Sequence, residues 1–158
     1  MAGPDPVPKA EFRLAGRVIL LDADDRVLLI HERSDIGSEQ THWLVPGGGV
    51  EHAESTAEAA ARELAEETGL LVLITDAEPV HIERHSWSHA GKHFDQTNHY
   101  FLARTAARRP AAEPRSLTDL EKSIVLGWRW WSIEDLAAST AEIWPANLAD
   151  LLRRHRSG

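Results

Sequence analysis

The sequence holds no cysteine, one methionine and one tyrosine among its 158 residues. Disulfides, thiolate zinc sites and cysteine nucleophiles are therefore excluded, and any metal must rest on carboxylates or histidines. Long apolar runs are missing too: none approaches the roughly 20 residues a membrane helix needs, and the opening MAGPDPVPKAE lacks the apolar core of a secretory signal. A soluble, cytoplasmic protein with no membrane partner is the expectation. Positive charge is in deficit, 17 Lys and Arg against 25 Asp and Glu, a formal net charge of −8. That balance argues against duplex nucleic acid as a partner, and a phosphate-rich ligand would need to bring a cation. Monomer and homodimer both remain open.

What is present reads as one domain. Pro4, Pro6 and Pro8 mark residues 1–11 as a loose tail, with a single domain over 12–158. Arg17 to Asp22 and Arg26 to His31 flank Ala23-Asp24-Asp25 as two antiparallel strands. Residues 33–42 read as polar loop, and Pro46-Gly47-Gly48-Gly49 as an irregular stretch that lets backbone approach a ligand. Leu70 to Thr75, Val80 to Ser88, Thr97 to Arg104 and Gly127 to Ser132 read as further strands, the middle two joined around Ala90-Gly91-Lys92 as a hairpin. Residues 106–116 look like surface loop. Ser132 can cap a short helix through Leu136, and a terminal helix follows Pro145. The order predicts an α/β (α+β) fold, a mixed sheet packed between helices.

One helix is signalled with particular clarity. Ser55 and Glu58 form a capping box, alanines fill the interior, and Gly69 stands at the C′ position, giving a span of 56–68. At 100° per residue Glu63, Glu66 and Glu67 share one face, opposite Ala57, Ala60, Ala61, Leu64 and Thr68, so the carboxylates point outward from a packed base. Like charges at this spacing, two of them at the helix end whose dipole prefers cations, are unfavourable by a few tenths of a kcal/mol each. A hard divalent cation such as Mg²⁺ or Mn²⁺ would offset them, and Arg62 can help by pairing with Glu58 or Glu66. A plain solvated acidic face is the simpler reading of three glutamates taken alone.

Other features are less specific. His81, Glu83, His85, Trp87 and His89 alternate and would share one face of a strand, either lining a cleft or simply exposed, the second being the simpler reading. Trp128, Trp130 and Trp131 fit core or pocket wall better than a nucleic-acid platform. Asn147 could contact a nucleobase, though helix capping explains it more simply.

The glutamates belong to a longer pattern: Gly48, five residues, Glu54, seven residues, then Arg62-Glu63-Leu64-Ala65-Glu66-Glu67-Thr68-Gly69-Leu70. These residues resemble the complete box of the Nudix hydrolase family, a match expected by chance about once in 10⁹ starting positions from average residue usage. The flanks agree, from Trp43 to Glu51 and from Arg129 to Leu136, and the similarity runs from about Arg17 to Leu152. Ala53 departs from the pattern, where many members carry glycine.

The resemblance implies a Nudix-like mixed sheet between helices and a hydrolase that holds Mg²⁺ or Mn²⁺ against a diphosphate. By position, Glu66 and Glu67 would be the main metal ligands, Glu63 a further ligand or the group orienting the attacking water, and the Gly47 carbonyl an additional ligand. Glu54 and Arg62 would orient these carboxylates. Glu63 and Glu121 are the candidates for general base. The implied substrate is a nucleotide, a nucleoside triphosphate ahead of nucleotide sugars and dinucleoside polyphosphates, with a non-catalytic nucleotide-binding module as the rival from another class.

Overall fold

The computed structural model describes residues 3–4, 9–74, 78–107 and 118–155. In chain order the elements are β1 (Ala10–Leu21), β2 (Val27–Arg33), β3 (Thr41–Leu44), β4 (Gly47–Gly49), α1 (Thr56–Thr68), β5 (His81–His89), β6 (Lys92–Arg104), α2 (Asp119–Ile124), β7 (Val125–Trp131), α3 (Ile133–Ala138), β8 (Ile143–Trp144) and α4 (Leu148–His155). The sheet is mixed, in the order β5-β6-β1-β2-β3-β8, with β4 branching from β1 and β7 from β2. β1 runs parallel to β6 along its whole length, from Ala10↔His93 to Leu21↔Arg104.

Period-two alternation along β1 builds two cores. Val18 and Leu20 face α1 through Ala60 and Leu64, together with Leu28 and Phe101. Ile19 and Leu21 face the other way, onto Trp131, Leu136 and the α4 residues Leu148, Leu151 and Leu152. Each of these side chains is fully or nearly buried, the branched aliphatic and Phe side chains worth roughly 1.5–3 kcal/mol apiece in transfer free energy. The expected mixed sheet between helices is thus present.

β1 and β2 pair only at Leu21↔Val27. The turn between them is held by Asp22, 4% exposed, whose Oδ1 accepts from the Asp24 and Arg26 N–H groups and whose Oδ2 accepts from Arg26 Nε. Beyond it the strands part, β1 pairing with β4 and β6, β2 with β3 and β7. The polar residues discussed below gather around this parting.

Four expectations are corrected. Gly47–Gly49 is a strand, β4, antiparallel to β1 with Gly16↔Gly48 in register, because glycines without Cβ atoms fit a crowded pairing site. A Cβ on Gly48 would lie 2.5 Å from the Glu63 side chain. Leu70–Ile74 forms no strand: Leu71 and Leu73 are each 82% exposed, so their β propensity finds no partner, and Thr75 lies outside the described residues. The buried stripe of α1 is Ala59, Ala60, Leu64 and Thr68: Ala59 joins it, while Ala57 and Ala61 are only partly buried. β6 starts at Lys92 rather than Thr97, because Ala90 (φ 51°) and Gly91 (φ 77°) form a two-residue turn that carries the hairpin to its tip. Most of the 106–116 loop lies outside the described residues. Ordered strand begins at Ala10, two residues before Phe12.

Gly16 sets the depth of α1 on the sheet. A Cβ there would stand 1.9 Å from the Thr56 carbonyl oxygen, a backbone atom at the start of the helix. Gly16→Ala must lift the helix, and a loss of about 3 kcal/mol is expected in denaturant unfolding; a change under 0.5 kcal/mol would mean the contact relaxes freely.

Candidate active site

α1 forms as its sequence dictates. Ser55 accepts from the Glu58 N–H, Glu58 returns a bond to the Ser55 N–H, and Gly69 ends the helix at φ 75° with its N–H on the Ala65 carbonyl. The preceding loop holds Ala53 in the left-handed region, φ 62°, where its Cβ is strained by roughly 1–2 kcal/mol. Ala53→Gly relieves that strain against a smaller rise in unfolded-state entropy, so unfolding experiments should show a gain of about 0.5–1 kcal/mol. Loss of stability would mean that the alanine is not strained.

Arg62 is the hub of the acidic face. Its Nε and Nη2 donate to the two Glu54 oxygens at 2.8 and 3.0 Å, a bidentate fork, while Nη2 also donates to the Gly49 carbonyl at 3.0 Å. Its Nη1 donates to Glu63 at 3.0 Å and to both Glu66 oxygens at 3.2–3.3 Å. These bonds keep the guanidinium protonated and hold the Glu54 carboxyl below its ordinary pKa. Of the two anticipated partners Glu66 is one; Glu58 is not, being committed to the capping box.

Glu63 and Glu67 do not point outward. Glu63 lies against Gly48, and burial raises its pKa against the opposing effect of Arg62, with Glu66 and Glu121 adding repulsion. Glu67 keeps some accessible surface, yet protein atoms crowd its carboxylate. Its pKa rises well above the ordinary value, chiefly by desolvation, with Glu63 and Glu32 raising it further and Arg17 and the Gly47 N–H, 3.3 Å away, lowering it. The face turns inward because Gly16 and Gly48 let α1 sit close to the parting of β1 and β2.

Glu121 is near enough to repel Glu63, but it lies in α2, not in a loop, and its own Oε1 accepts from the Thr118 N–H in a second capping box. Among the described residues no three acidic or histidine side chains converge as they stand on a point that would hold a metal. The donor chemistry nevertheless fits a hard cation: carboxylates and a carbonyl, with more negative charge at Glu63, Glu66 and Glu67 than Arg62 and Arg17 neutralise.

Next to this face a cleft of about 560 Å³ opens on the α3/α4 side of the sheet. Its floor carries Arg17 from β1 and Gln96, Asn98 and Tyr100 from β6. The two outermost strands form facing walls, β5 with Glu83, His85 and Trp87, and β8 with Trp144; His85 and Trp144 approach to 5.5 Å between ring centroids. The alternating β5 residues therefore line the cleft at these three positions rather than being merely exposed. Glu32 and His42, paired at 2.7 Å, close the side nearest Glu67. Arg17 joins cleft and acidic face: its Nε donates to Asn98 and its Nη1 to the Val45 carbonyl, both at 3.1 Å, and its charge reaches Glu67. Burial raises the Tyr100 phenol to about 12, so it stays a donor at neutral pH.

A family model described as the NUDIX domain matches residues 11–152. The chain belongs to the Nudix family. An RNA pyrophosphohydrolase of Sphingopyxis alaskensis is 35% identical to it over a stretch covering 61% of this chain and 65% of that protein. The chain thus spans less than two thirds of that curated relative. The MutT Nudix hydrolase from Burkholderia pseudomallei shares the fold, with TM-score 0.61, 21% identity and coverage of 92% and 98% of the two chains. The MutT protein from Methanosarcina mazei Go1 gives TM-score 0.60 at 20% identity, covering 94% and 95%.

In structural terms the Nudix box is β4, the capped loop and α1, and it brings Gly47, Glu54, Arg62, Glu63, Glu66 and Glu67 together. The Trp-rich segment of β7 is core: Trp131 is 4% exposed and meets Trp43 edge to face at 5.0 Å, while Trp128 and Trp130 pack against the α1-side cluster. Asn147 stands just before α4 and is not among the cleft residues. Sequence reading missed Arg17, Asn98 and Trp144. The available signal was a charged side chain at the head of an apolar run, Arg17 before Val-Ile-Leu-Leu; Asn98 lies within the polar run Asp95 to His99 and carried none.

Proposed function

We propose that the protein is a divalent-metal-dependent pyrophosphohydrolase that cleaves the diphosphate linkage of a nucleotide, a nucleoside triphosphate first among candidates. The observation that carries this reading is a cleft of nucleotide size with an aromatic rim beside the Nudix box, linked to it by Arg17, which lines the cleft and whose charge acts on Glu67. Family membership and the 35% identical relative support the reaction class.

The residues divide the work by position. The cleft takes the nucleoside over its β1/β6 floor, beside the aromatic rim that His85 and Trp144 form in contact with each other, and the phosphates pass Arg17 toward α1. Glu66, Glu67 and the Gly47 carbonyl would hold Mg²⁺ or Mn²⁺, which when bound neutralises the diphosphate oxygens and favours deprotonation of water. Arg62, itself fixed by Glu54, keeps Glu63 and Glu66 oriented. Glu63 accepts the proton of the attacking water at a carboxylate oxygen; its burial raises its pKa toward the working pH, which makes it a better base than an exposed glutamate. Glu121 acts through its charge on Glu63. Attack at the α-phosphorus of a triphosphate gives a nucleoside monophosphate and pyrophosphate.

The test is a panel with Mg²⁺: nucleoside triphosphates, nucleotide sugars, dinucleoside polyphosphates and, given the name of the Sphingopyxis relative, a 5′-triphosphorylated oligoribonucleotide. Triphosphate cleavage to monophosphate and pyrophosphate supports the reading. No cleavage of any member with Mg²⁺ or Mn²⁺, but retained nucleotide binding, would make the chain a binding module instead.

A further inference from the structure

Asn98 is 7% exposed and lines the cleft. Its Oδ1 accepts two hydrogen bonds, from Arg17 Nε at 3.1 Å and from Gln96 Nε2 at 2.8 Å. Arginine only donates, so the amide can be oriented one way: oxygen toward Arg17, nitrogen away. Among the described residues nothing accepts from Asn98 Nδ2. The Nδ2 donor is not sealed off from solvent, so water or a ligand acceptor in the cleft is left to satisfy it. Directly across the β5–β6 ladder stands Glu83, in register with Asn98 and also lining the cleft. Among the described residues its carboxylate hydrogen-bonds one side chain, His81 Nε2 at 3.3 Å, and two carboxylate oxygens offer about four acceptor positions.

We propose that Glu83 and Asn98 read the edge of the nucleobase and select guanine. Together they present two acceptors beside one donor. Guanine presents the complement, with its 2-amino and N1–H groups for the carboxylate and O6 for the Asn98 amide. Adenine turns the N1 lone pair toward the same groups and offers only its 6-amino donor, so one carboxylate oxygen loses water without gaining a partner. Hypoxanthine lacks the 2-amino group and falls between the two. His85, in ring contact with Trp87 and Trp144, gives the cleft an aromatic rim for the edge of the base to pack against. This deepens the proposed function and rests on it in one respect, that the cleft seats the nucleoside.

The experiment compares kcat/KM for GTP, ITP and ATP with Mg²⁺, in the wild type, Glu83→Gln and Asn98→Asp. GTP should exceed ATP by about tenfold or more, with ITP between them. Glu83→Gln keeps the shape but removes an acceptor, so it should raise KM for GTP about tenfold with little change in kcat and leave ATP unaffected or improved. Asn98→Asp keeps the acceptor for Arg17 and turns the free donor into an acceptor, which should penalise GTP and ITP more than ATP. Equal use of GTP and ATP, or equal losses for both in the two variants, would overturn the base assignment while leaving the proposed function standing. Absence of all cleavage would overturn the proposed function. Metal-free calorimetry with GMP and AMP then still decides the inference, tighter GMP binding that weakens in Glu83→Gln supporting it and equal binding refuting it.

Discussion

Glu67→Gln is expected to cut turnover by about three orders of magnitude and, in the absence of metal, to make the protein more stable. The first effect follows from removing a charged ligand from the proposed hard-cation site, where the lost transition-state stabilisation would be several kcal/mol. The second follows from the carboxylate's surroundings: desolvation, then Glu63 and Glu32, raise its pKa, and Arg17 with the Gly47 N–H offset only part of this. A carboxylate with a raised folded pKa binds more protons folded than unfolded. Its ionisation therefore subtracts from stability as pH climbs above the ordinary carboxylate value of about 4.3, and the loss levels off above the raised folded pKa. The glutamine variant escapes this. Thermal melts without metal should coincide near pH 4 and separate toward neutrality, the variant higher by a few degrees, on the order of 1 kcal/mol. Adding Mg²⁺ should raise the wild-type melting temperature and move the variant little. Turnover above half the wild-type value at saturating Mg²⁺ would remove Glu67 from the ligand set, and coincident melts at neutral pH would show that its carboxylate is not strained by burial.

Arg62→Lys is expected to lower kcat about 10–100-fold with a smaller change in KM. The positive charge survives, but a single ammonium cannot reproduce the fork to Glu54 while also reaching Glu63, Glu66 and the Gly49 carbonyl. Loss of groups that orient metal-binding carboxylates has effects of this size. Glu54, whose lowered pKa depends first on its bond to Arg62, should titrate closer to its ordinary value in the variant. Its contribution to stability has the opposite sign to that of Glu67: present above the ordinary carboxylate pKa and lost as pH falls through the depressed one. The stability difference between wild type and Arg62→Lys should therefore be widest near neutral pH and narrow as pH falls through the depressed value. A raised KM with unchanged kcat would instead place the guanidinium on the substrate.

The acidic helix was legible in the sequence because every part of it is local: capping box, alanine interior, terminal glycine and glutamate spacing all lie within 16 residues, from Ser55 to Leu70. The same locality made the late Ser132-capped helix readable. Direction was less legible. Periodicity placed Glu63 and Glu67 on one face, but that this face turns toward the sheet depends on Gly16 and Gly48, which belong to other strands and admit the helix only once those strands pair. The cleft was hidden for the same reason. Arg17 and Asn98 are 81 positions apart and meet only through the β1–β6 ladder, while Trp144 and His85 meet because the two outermost strands face each other across the cleft. Leu70–Ile74 shows the converse failure, apolar residues with strand-like composition that never reach a sheet edge.

The central claim is that water attacks the α-phosphorus of a triphosphate whose diphosphate linkage is held at the Nudix box. It is tested most directly by running nucleoside triphosphate turnover with Mg²⁺ in ¹⁸O-water and locating the label by mass spectrometry. The account predicts label in the nucleoside monophosphate, unlabelled pyrophosphate alongside it, and loss of both products in Glu67→Gln. Label in orthophosphate, with a nucleoside diphosphate left over, would contradict it.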